Sequence, residues 1–137
     1  MNDRRSYFLI MTSFMAGLGA ISPHTYAQIS PDGSLSTSVT SPDNQNFVIE
    51  NGDRNGNSLF HSFSEFSVPT NGSAVFNNPT DIENIFSRVT GFNASDIDGL
   101  IQANGPANVF LINPNGIFFG ENASLSIGGS FVASTAE

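Results

Sequence analysis

Residues 108–119 decide the fold, and they read NVFLINPNGIFF. The central tetrapeptide, Asn-Pro-Asn-Gly at positions 113–116, satisfies every preference of a type I turn. Its first Asn can bond its own side chain to the backbone two residues on. Apolar runs flank the turn at 109–112 and 117–119. The stretch therefore predicts a tight corner between two short strands. Since neither run alternates with polar residues, we expect both strands to be buried on both faces.

Short apolar clusters separated by turn residues fill the rest of the chain. They recur roughly every six to ten residues, a spacing typical of a sandwich, a barrel or a β-helix. The segment 28–57 is more polar, and we expect short strands there that cap the strands downstream of it. The clusters are Phe47 to Ile49, Leu59 to Val68, Ala74 to Phe76, Ile97 to Ile101, Leu125 to Ile127 and Phe131 to Val132.

Residues 80–89 fit two kinds of secondary structure. The apolar residues fall at i, i+3, i+4 and i+7 from Ile82, behind a capping residue, which is typical of a short helix. The β-branched and aromatic residues from Ile85 to Thr90 favour a strand instead. The pattern alone leaves helix or strand open for residues 80–90.

The N-terminal segment has the organisation of a secretory signal peptide. Arg4 and Arg5 precede an apolar run from Tyr7 to Ile21, and the small residues Thr25 and Ala27 follow. The run is shorter than the ~20 residues that a spanning helix needs. We therefore expect residues 1–27 to be a signal peptide that engages the Sec translocon, with cleavage after Ala27 and a mature chain of residues 28–137.

Composition disfavours several classes of partner and scaffold. Charged residues are 12% of the chain, and 4 basic residues against 12 acidic ones give a net charge of −8. An electrostatic grip on nucleic acid is therefore not expected. The chain has no Cys, which excludes a disulfide scaffold, a thiolate zinc site and a thiol nucleophile.

Residue types that could support catalysis are few. Asp96 and Asp98 are spaced to face one way on a strand, as acid/base pairs sometimes are, but the surrounding Asn, Ser and Gly favour a solvated turn. His61 is the one His of the predicted mature chain and has no neighbouring nucleophile or second His. We expect no enzyme, no cofactor and no metal site.

Residues 108–117, NVFLINPNGI, resemble the signature of the filamentous haemagglutinin N-terminal domain, the secretion (TPS) domain of two-partner secretion exoproteins. Further phrases are similar to the same family, and they cover nearly all of the mature chain in order and spacing. These phrases are LFHSFSEF at 59–66, SRVTG at 87–91, IDG at 97–99 and GGSFVAST at 128–135. The phrase at 59–66 resembles one seen in cyanobacterial members of the family, so the chain resembles a cyanobacterial-type member.

The resemblance implies an all-β, right-handed parallel β-helix, a pectin lyase-like solenoid with an N-terminal cap and extra-helical strands. Three short strands per coil would give coils of roughly twenty residues. The resemblance also implies a secreted, adhesin-like protein, exported through the periplasm of a Gram-negative-type bacterium to the cell surface. Its implied partners are the POTRA domains of an outer-membrane transporter, with surface glycans of host or neighbouring cells as further candidates.

The residues that carry over from the family form a secretion and recognition motif. An earlier tetrapeptide of Asn-Pro-Asn-Leu type is common in the family, and here only its Asn-Pro survives. The motif residues are Asn113, Pro114, Asn115, Gly116 and Ile117, with Asn78 and Pro79 at the earlier position. A small secreted β-helical carbohydrate-active enzyme or lectin is the alternative function. Because the last coil of a β-helix needs a cover, we also expect a longer product or a truncated gene.

Overall fold

The computed structural model describes residues 28–136. The predicted signal peptide and its cleavage site at Ala27 lie outside the described residues. Within that range the chain forms thirteen β-strands and no helix. The strands are β1 (Ile29–Pro31), β2 (Thr37–Thr40), β3 (Asn46–Asn51), β4 (Asp53–Asn55), β5 (Ser58–Phe66), β6 (Ser73–Phe76), β7 (Asn84–Val89), β8 (Ser95–Ile97), β9 (Leu100–Ala103), β10 (Asn108–Ile112), β11 (Ile117–Phe119), β12 (Ser124–Ser126) and β13 (Phe131–Ser134).

The strands stack into a parallel β-solenoid, as the resemblance implied. Sheet A contains β5, β7, β10 and β13 in parallel order, sheet B contains β3, β6, β9 and β12, and sheet C pairs β8 with β11. Residues on neighbouring rungs are 22 to 27 positions apart, close to the expected coil length. Each coil therefore buries its inward side chains against the coil before it.

The N-terminal strands cover the first coil, as predicted. The strands β1 and β4 pair antiparallel with β5, and β2 pairs antiparallel with β3. This arrangement occupies edges that would otherwise be open to pairing with another chain.

Residues 84–89 are a strand, which settles the ambiguity of the sequence. Ile85, Ser87 and Val89 point inward and are buried, whereas Phe86 and Arg88 point outward. Residues 80–83 form a turn whose Ile82 is also buried. Parallel pairing with β5 on one side and β10 on the other supplies the backbone hydrogen bonds of β7.

The expectation that 109–112 and 117–119 are buried on both faces is wrong. Val109 and Leu111 are buried, but Phe110 is only half-buried because it lies on the outer face of sheet A. Phe118 and Phe119 are 61% and 50% exposed, since in the described residues no layer packs outside sheet C and no coil follows β11 in that sheet. The run at 109–112 therefore reflects one buried and one outer face, whereas the run at 117–119 is half-buried at Ile117 and exposed at Phe118 and Phe119.

No helix in residues 28–136 has the length and apolar character needed to cross a bilayer.

Candidate functional site

The turn at residues 113–116 forms as the sequence predicts. The backbone NH of Gly116 donates to the carbonyl of Asn113 (3.1 Å), which closes the turn. The backbone NH of Asn115 donates to Oδ1 of Asn113 (2.9 Å), the local bond that an Asn in the first position can provide. Gly116 has a φ of +120°, a conformation that a residue with a side chain adopts only with strain.

The same turn is bonded across the solenoid to the loop that leads into β8. Nδ2 of Asn113 donates to the carbonyl of Asn93 and to Oγ of Ser95, both at 3.0 Å. Nδ2 of Asn115 donates to the carbonyl of Gly91 (2.8 Å). We call these contacts the Asn113 clamp. They tie one corner of the solenoid to the corner of the coil before it.

The clamp is buried at its centre and exposed at its rim. Asn113 has no solvent-exposed surface, whereas Pro114 and Asn115 are exposed. Loss of the Asn113 amide would leave the buried hydroxyl of Ser95 without this hydrogen bond, at a cost of about 1–3 kcal/mol. Ile117 is half-buried and packs against the core, in register with Ser95. Asn113 therefore stabilises the folded corner and is inaccessible to a partner of the folded domain.

Asn78 and Pro79 lie at a different corner and use the same chemistry. Asn78 is 5% exposed, and its Nδ2 donates to the carbonyl of Asn104 (3.1 Å). In return, the backbone NH of Asn104 donates to Oδ1 of Asn78 (3.0 Å). The Asn-Pro dipeptide thus makes a second clamp without the rest of the tetrapeptide.

The two predicted motifs do not form one site. Asn78 follows β6 of sheet B and precedes β7 of sheet A, whereas Asn113 follows β10 of sheet A and precedes β11 of sheet C. The structure brings together the residues within each motif, and each motif with the neighbouring coil. Sequence reasoning missed the partners Asn93, Ser95 and Asn104, because only coil stacking places them there.

Asp98, one of the two aspartates considered for catalysis, is held by hydrogen bonds within the fold. Asp98 accepts hydrogen bonds from the hydroxyl of Thr70 and from the backbone NH and side chain of Asn122. These hydrogen bonds hold the pKa of Asp98 below its usual value, and the bond from Thr70 has the largest effect. The group therefore stays a carboxylate and does not serve as a general acid at neutral pH. Asp96 is exposed on the outer face of β8.

His61 and the two arginines of the described residues are also engaged in the fold. His61 is 2% exposed, lies between Phe63 and Phe76, and its Nδ1 is 3.1 Å from the hydroxyl of Thr37. Burial lowers its pKa to about 4. Arg54 pairs with Asp81, and Arg88 donates to Oγ of Ser62.

The fold resembles a solved secretion domain. A crystal structure of a filamentous hemagglutinin secretion domain superposes with a TM-score of 0.59 at 23% identity, covering 79% of this chain and 39% of that one. The fold is therefore that of a β-solenoid secretion domain. The TPS secretion domain family matches residues 27–137, and the chain belongs to this family, the secretion domain of two-partner secretion exoproteins.

Two curated relatives are much longer than this chain. A heme/hemopexin-binding protein of Haemophilus influenzae strain Rd is 38% identical over 66 residues, which is 48% of this chain and 7% of the relative. A second heme/hemopexin-binding protein from Haemophilus influenzae is 33% identical over 67 residues, 49% of this chain and 7% of the relative. The family is a secretion domain, not an enzyme class.

Proposed function

We propose that this domain is read as an unfolded chain by the POTRA domains of an outer-membrane transporter, and that it folds into the solenoid at the cell surface. The observation that carries the proposal is the match to the TPS secretion domain over residues 27–137, the whole of the described solenoid. The proposed route runs through the Sec translocon and the periplasm.

Burial within the two motifs favours recognition before folding. Asn113 is fully buried and Asn78 is 5% exposed, so a partner can contact these side chains only while the chain is open. Short strands of the open chain can add to exposed sheet edges of the POTRA domains, a mode that uses backbone hydrogen bonds. The motif of residues 113–117, with Asn78 and Pro79, would then be bound first and become clamps afterwards.

The composition supports transport of an open chain. The chain has no Cys, so no covalent loop hinders threading. Only 12% of the residues are charged, which keeps the desolvation cost of passage low. Folding outside buries apolar side chains such as Phe47, Phe63 and Phe76, and this burial stabilises the exported form by ~25 cal/mol per Å² of apolar surface.

A binding assay and a secretion assay together test the proposal. The chain, unfolded in urea and diluted onto immobilised POTRA domains, should bind, and the Asn113→Ala variant should bind at least about threefold more weakly. The matched control is Asn55→Ala, which changes an exposed Asn in β4. Failure of the unfolded wild-type chain to bind would refute the proposal. Equal binding and equal secretion of the Asn113→Ala and control variants would show that Asn113 takes no part in recognition by the POTRA domains.

A further inference from the structure

Asn-Gly dipeptides recur along the solenoid, and they differ in how the fold holds them. Asn loses the ammonia of its side chain most readily when Gly follows, because Gly has no β-carbon to obstruct its own backbone nitrogen. That nitrogen must reach Cγ of the Asn side chain, so contacts that hold either group oppose the reaction. The five dipeptides of residues 28–136 lie at 51–52, 55–56, 71–72, 104–105 and 115–116.

Three of the five dipeptides have the backbone NH of their glycine in a hydrogen bond. The acceptors are the carbonyls of Ser36 for Gly52 (3.1 Å), Pro69 for Gly72 (2.8 Å) and Asn113 for Gly116 (3.1 Å). A nitrogen bound in this way must first break its hydrogen bond, which adds to the barrier of any attack by it. The fold therefore protects Asn51, Asn71 and Asn115.

In the dipeptide at 104–105 the side chain of the asparagine is held instead. Nδ2 of Asn104 donates to the carbonyl of Asn78 (3.0 Å) and to Oδ1 of Asn77 (3.1 Å). These bonds fix the amide on the adjacent coil. Asn104 is therefore protected as well.

The dipeptide Asn55-Gly56 has neither protection. Both residues are exposed, and in residues 28–136 neither the side chain of Asn55 nor the backbone NH of Gly56 has a hydrogen-bond partner. A β-carbon on Gly56 would meet no atom within 4 Å, so the space around the turn is open. Asn55 ends β4, an exposed strand of three residues that pairs only with β5. Such a strand opens at little cost, which lets the two reacting groups meet.

We propose that the fold selects Asn55 as the site of spontaneous deamidation in the folded domain and protects the other four asparagines. The backbone nitrogen of Gly56 gives up its proton and bonds to Cγ of Asn55. The side-chain amide takes up a proton and leaves as ammonia, which closes a cyclic imide. Water then opens the ring at either carbonyl and gives aspartate or isoaspartate at position 55. The inference does not rest on the function proposed above, because only the folded chain and water take part.

The products change the hairpin that joins β4 to β5. Either acid adds a negative charge next to Arg54, whose Nε donates to the carbonyl of Gly56 (2.9 Å) and whose guanidinium pairs with Asp81 (2.7 Å). Isoaspartate also lengthens the main chain by a methylene group at a residue that pairs with Ser58. The register of β4 is then lost, and the edge of β5 that β4 covers becomes open to pairing.

The test measures the rate of deamidation at each of the five sites. The folded chain, and the same chain unfolded in guanidinium chloride, are incubated in neutral buffer and digested, and mass spectrometry that separates aspartate from isoaspartate quantifies each site. In the folded chain Asn55 should react at least about threefold faster than any of the other four, since each of those must first break a hydrogen bond. In the unfolded chain the five rates should come close together.

A pair of matched variants tests the role of Gly56. Gly56→Ala should slow the reaction at Asn55 about tenfold, because the new β-carbon obstructs the attacking nitrogen. Gly33→Ala is the control, since Gly33 also has a positive φ and open space around it, and it should leave the rate at Asn55 unchanged. Circular dichroism and the urea midpoint establish that each variant is folded.

Fastest conversion at Asn55 in the folded chain, with isoaspartate among its products, supports the inference. A faster rate at any of the other four sites in the folded chain overturns it. An equal preference for Asn55 in the unfolded chain also overturns it, because neighbouring residues and not the fold would then select the site. Faster amide hydrogen exchange in β4 after deamidation supports the loss of register, and unchanged exchange overturns that consequence.

Discussion

Asn78 and Asn104 bind each other's backbone across adjacent coils. Nδ2 of Asn78 donates to the carbonyl of Asn104 (3.1 Å), and Nδ2 of Asn104 donates to the carbonyl of Asn78 (3.0 Å). Asn104 also donates its backbone NH to Oδ1 of Asn78 (3.0 Å). This second clamp, between Asn78 and Asn104, joins the end of β6 to the end of β9. It therefore fixes the corner of one coil to the corner of the next.

Asn104→Ala should lower the free energy of unfolding by about 1 kcal/mol, because it removes the Nδ2 donor to the carbonyl of the buried Asn78 while the bonds of the Asn78 side chain to the backbone of Asn104 remain. Urea denaturation followed by circular dichroism measures this change. The matched Asn55→Ala variant should stay within about 0.5 kcal/mol of wild type, since Asn55 is exposed. A loss below about 0.5 kcal/mol in Asn104→Ala would show that the bond from Nδ2 of Asn104 to the carbonyl of Asn78 contributes no stability.

Gly116→Ala should destabilise the domain by about 1–3 kcal/mol, because the φ of +120° is unfavourable for a residue with a β-carbon. The new β-carbon would also lie 3.1 Å from the ring of Phe118. Gly56→Ala is the control, since Gly56 has a φ of +62° and open space around it, and it should cost about 1 kcal/mol. Thermal unfolding of both variants gives the comparison, and equal losses would argue against strain at the Asn113 turn.

Ser87→Ala should leave the domain as stable as wild type or stabilise it by up to about 1 kcal/mol. Oγ of Ser87 is buried and has no hydrogen-bond partner among the described residues. The control is Ser62→Ala, because Ser62 is equally buried but donates to Asp32 (2.6 Å) and accepts from Arg88 (2.8 Å). Ser62→Ala should be the more damaging change in urea titrations, and the reverse order would contradict the buried hydrogen-bond assignments.

Stability should fall as the pH drops from 6.5 to 4. Burial lowers the pKa of His61 from 6.5 to about 4, against a smaller opposite effect of Asp53, so the unfolded chain takes up the proton first. The stabilisation that depends on His61 being neutral is fully present above pH 6.5, and about 3 kcal/mol of it is lost on reaching pH 4. Urea titrations at pH 7, 5.5 and 4.5 measure the slope. His61→Phe should flatten it, and an unchanged slope in that variant would exclude His61 as the cause.

The local chemistry of the turns could be predicted from the sequence, because it depends on neighbouring residues. Asn113 bonds the backbone of Asn115 as its position in the tetrapeptide requires, and the short strands on either side follow from the apolar runs. The signal for a capped β-solenoid came from the family resemblance, since spacing alone also allowed a sandwich or a barrel.

The remaining features depend on contacts between distant parts of the chain. Residues 84–89 carry a helix-like pattern, yet the bonds to β5 and β10 make them a strand. The residues around Asn104, Asn-Gly-Pro at 104–106, are typical of an ordinary turn, and only the coil repeat makes Asn104 the partner of Asn78, 26 positions before it. The sequence does not indicate that the side chain of Phe92 is 93% exposed, because the exposure of a side chain in a loop depends on how the neighbouring coils stack.

An engineered crosslink can test whether the domain is exported as an open chain that folds outside. Val48 and Val75 are in register on the neighbouring strands β3 and β6, and such strands are about 4.8 Å apart, within the range a disulfide spans. The natural chain has no Cys, so the Val48→Cys, Val75→Cys double variant can form one disulfide.

The measurement is the amount of this double variant at the cell surface, in cells carrying the transporter, with and without a reductant in the periplasm. We expect that the oxidised variant is retained in the periplasm, that reduction restores its export, and that each single-Cys variant is exported normally. Export of the oxidised, crosslinked variant at the wild-type level would rule out export as an open chain, because a chain closed across two coils would then have passed without opening.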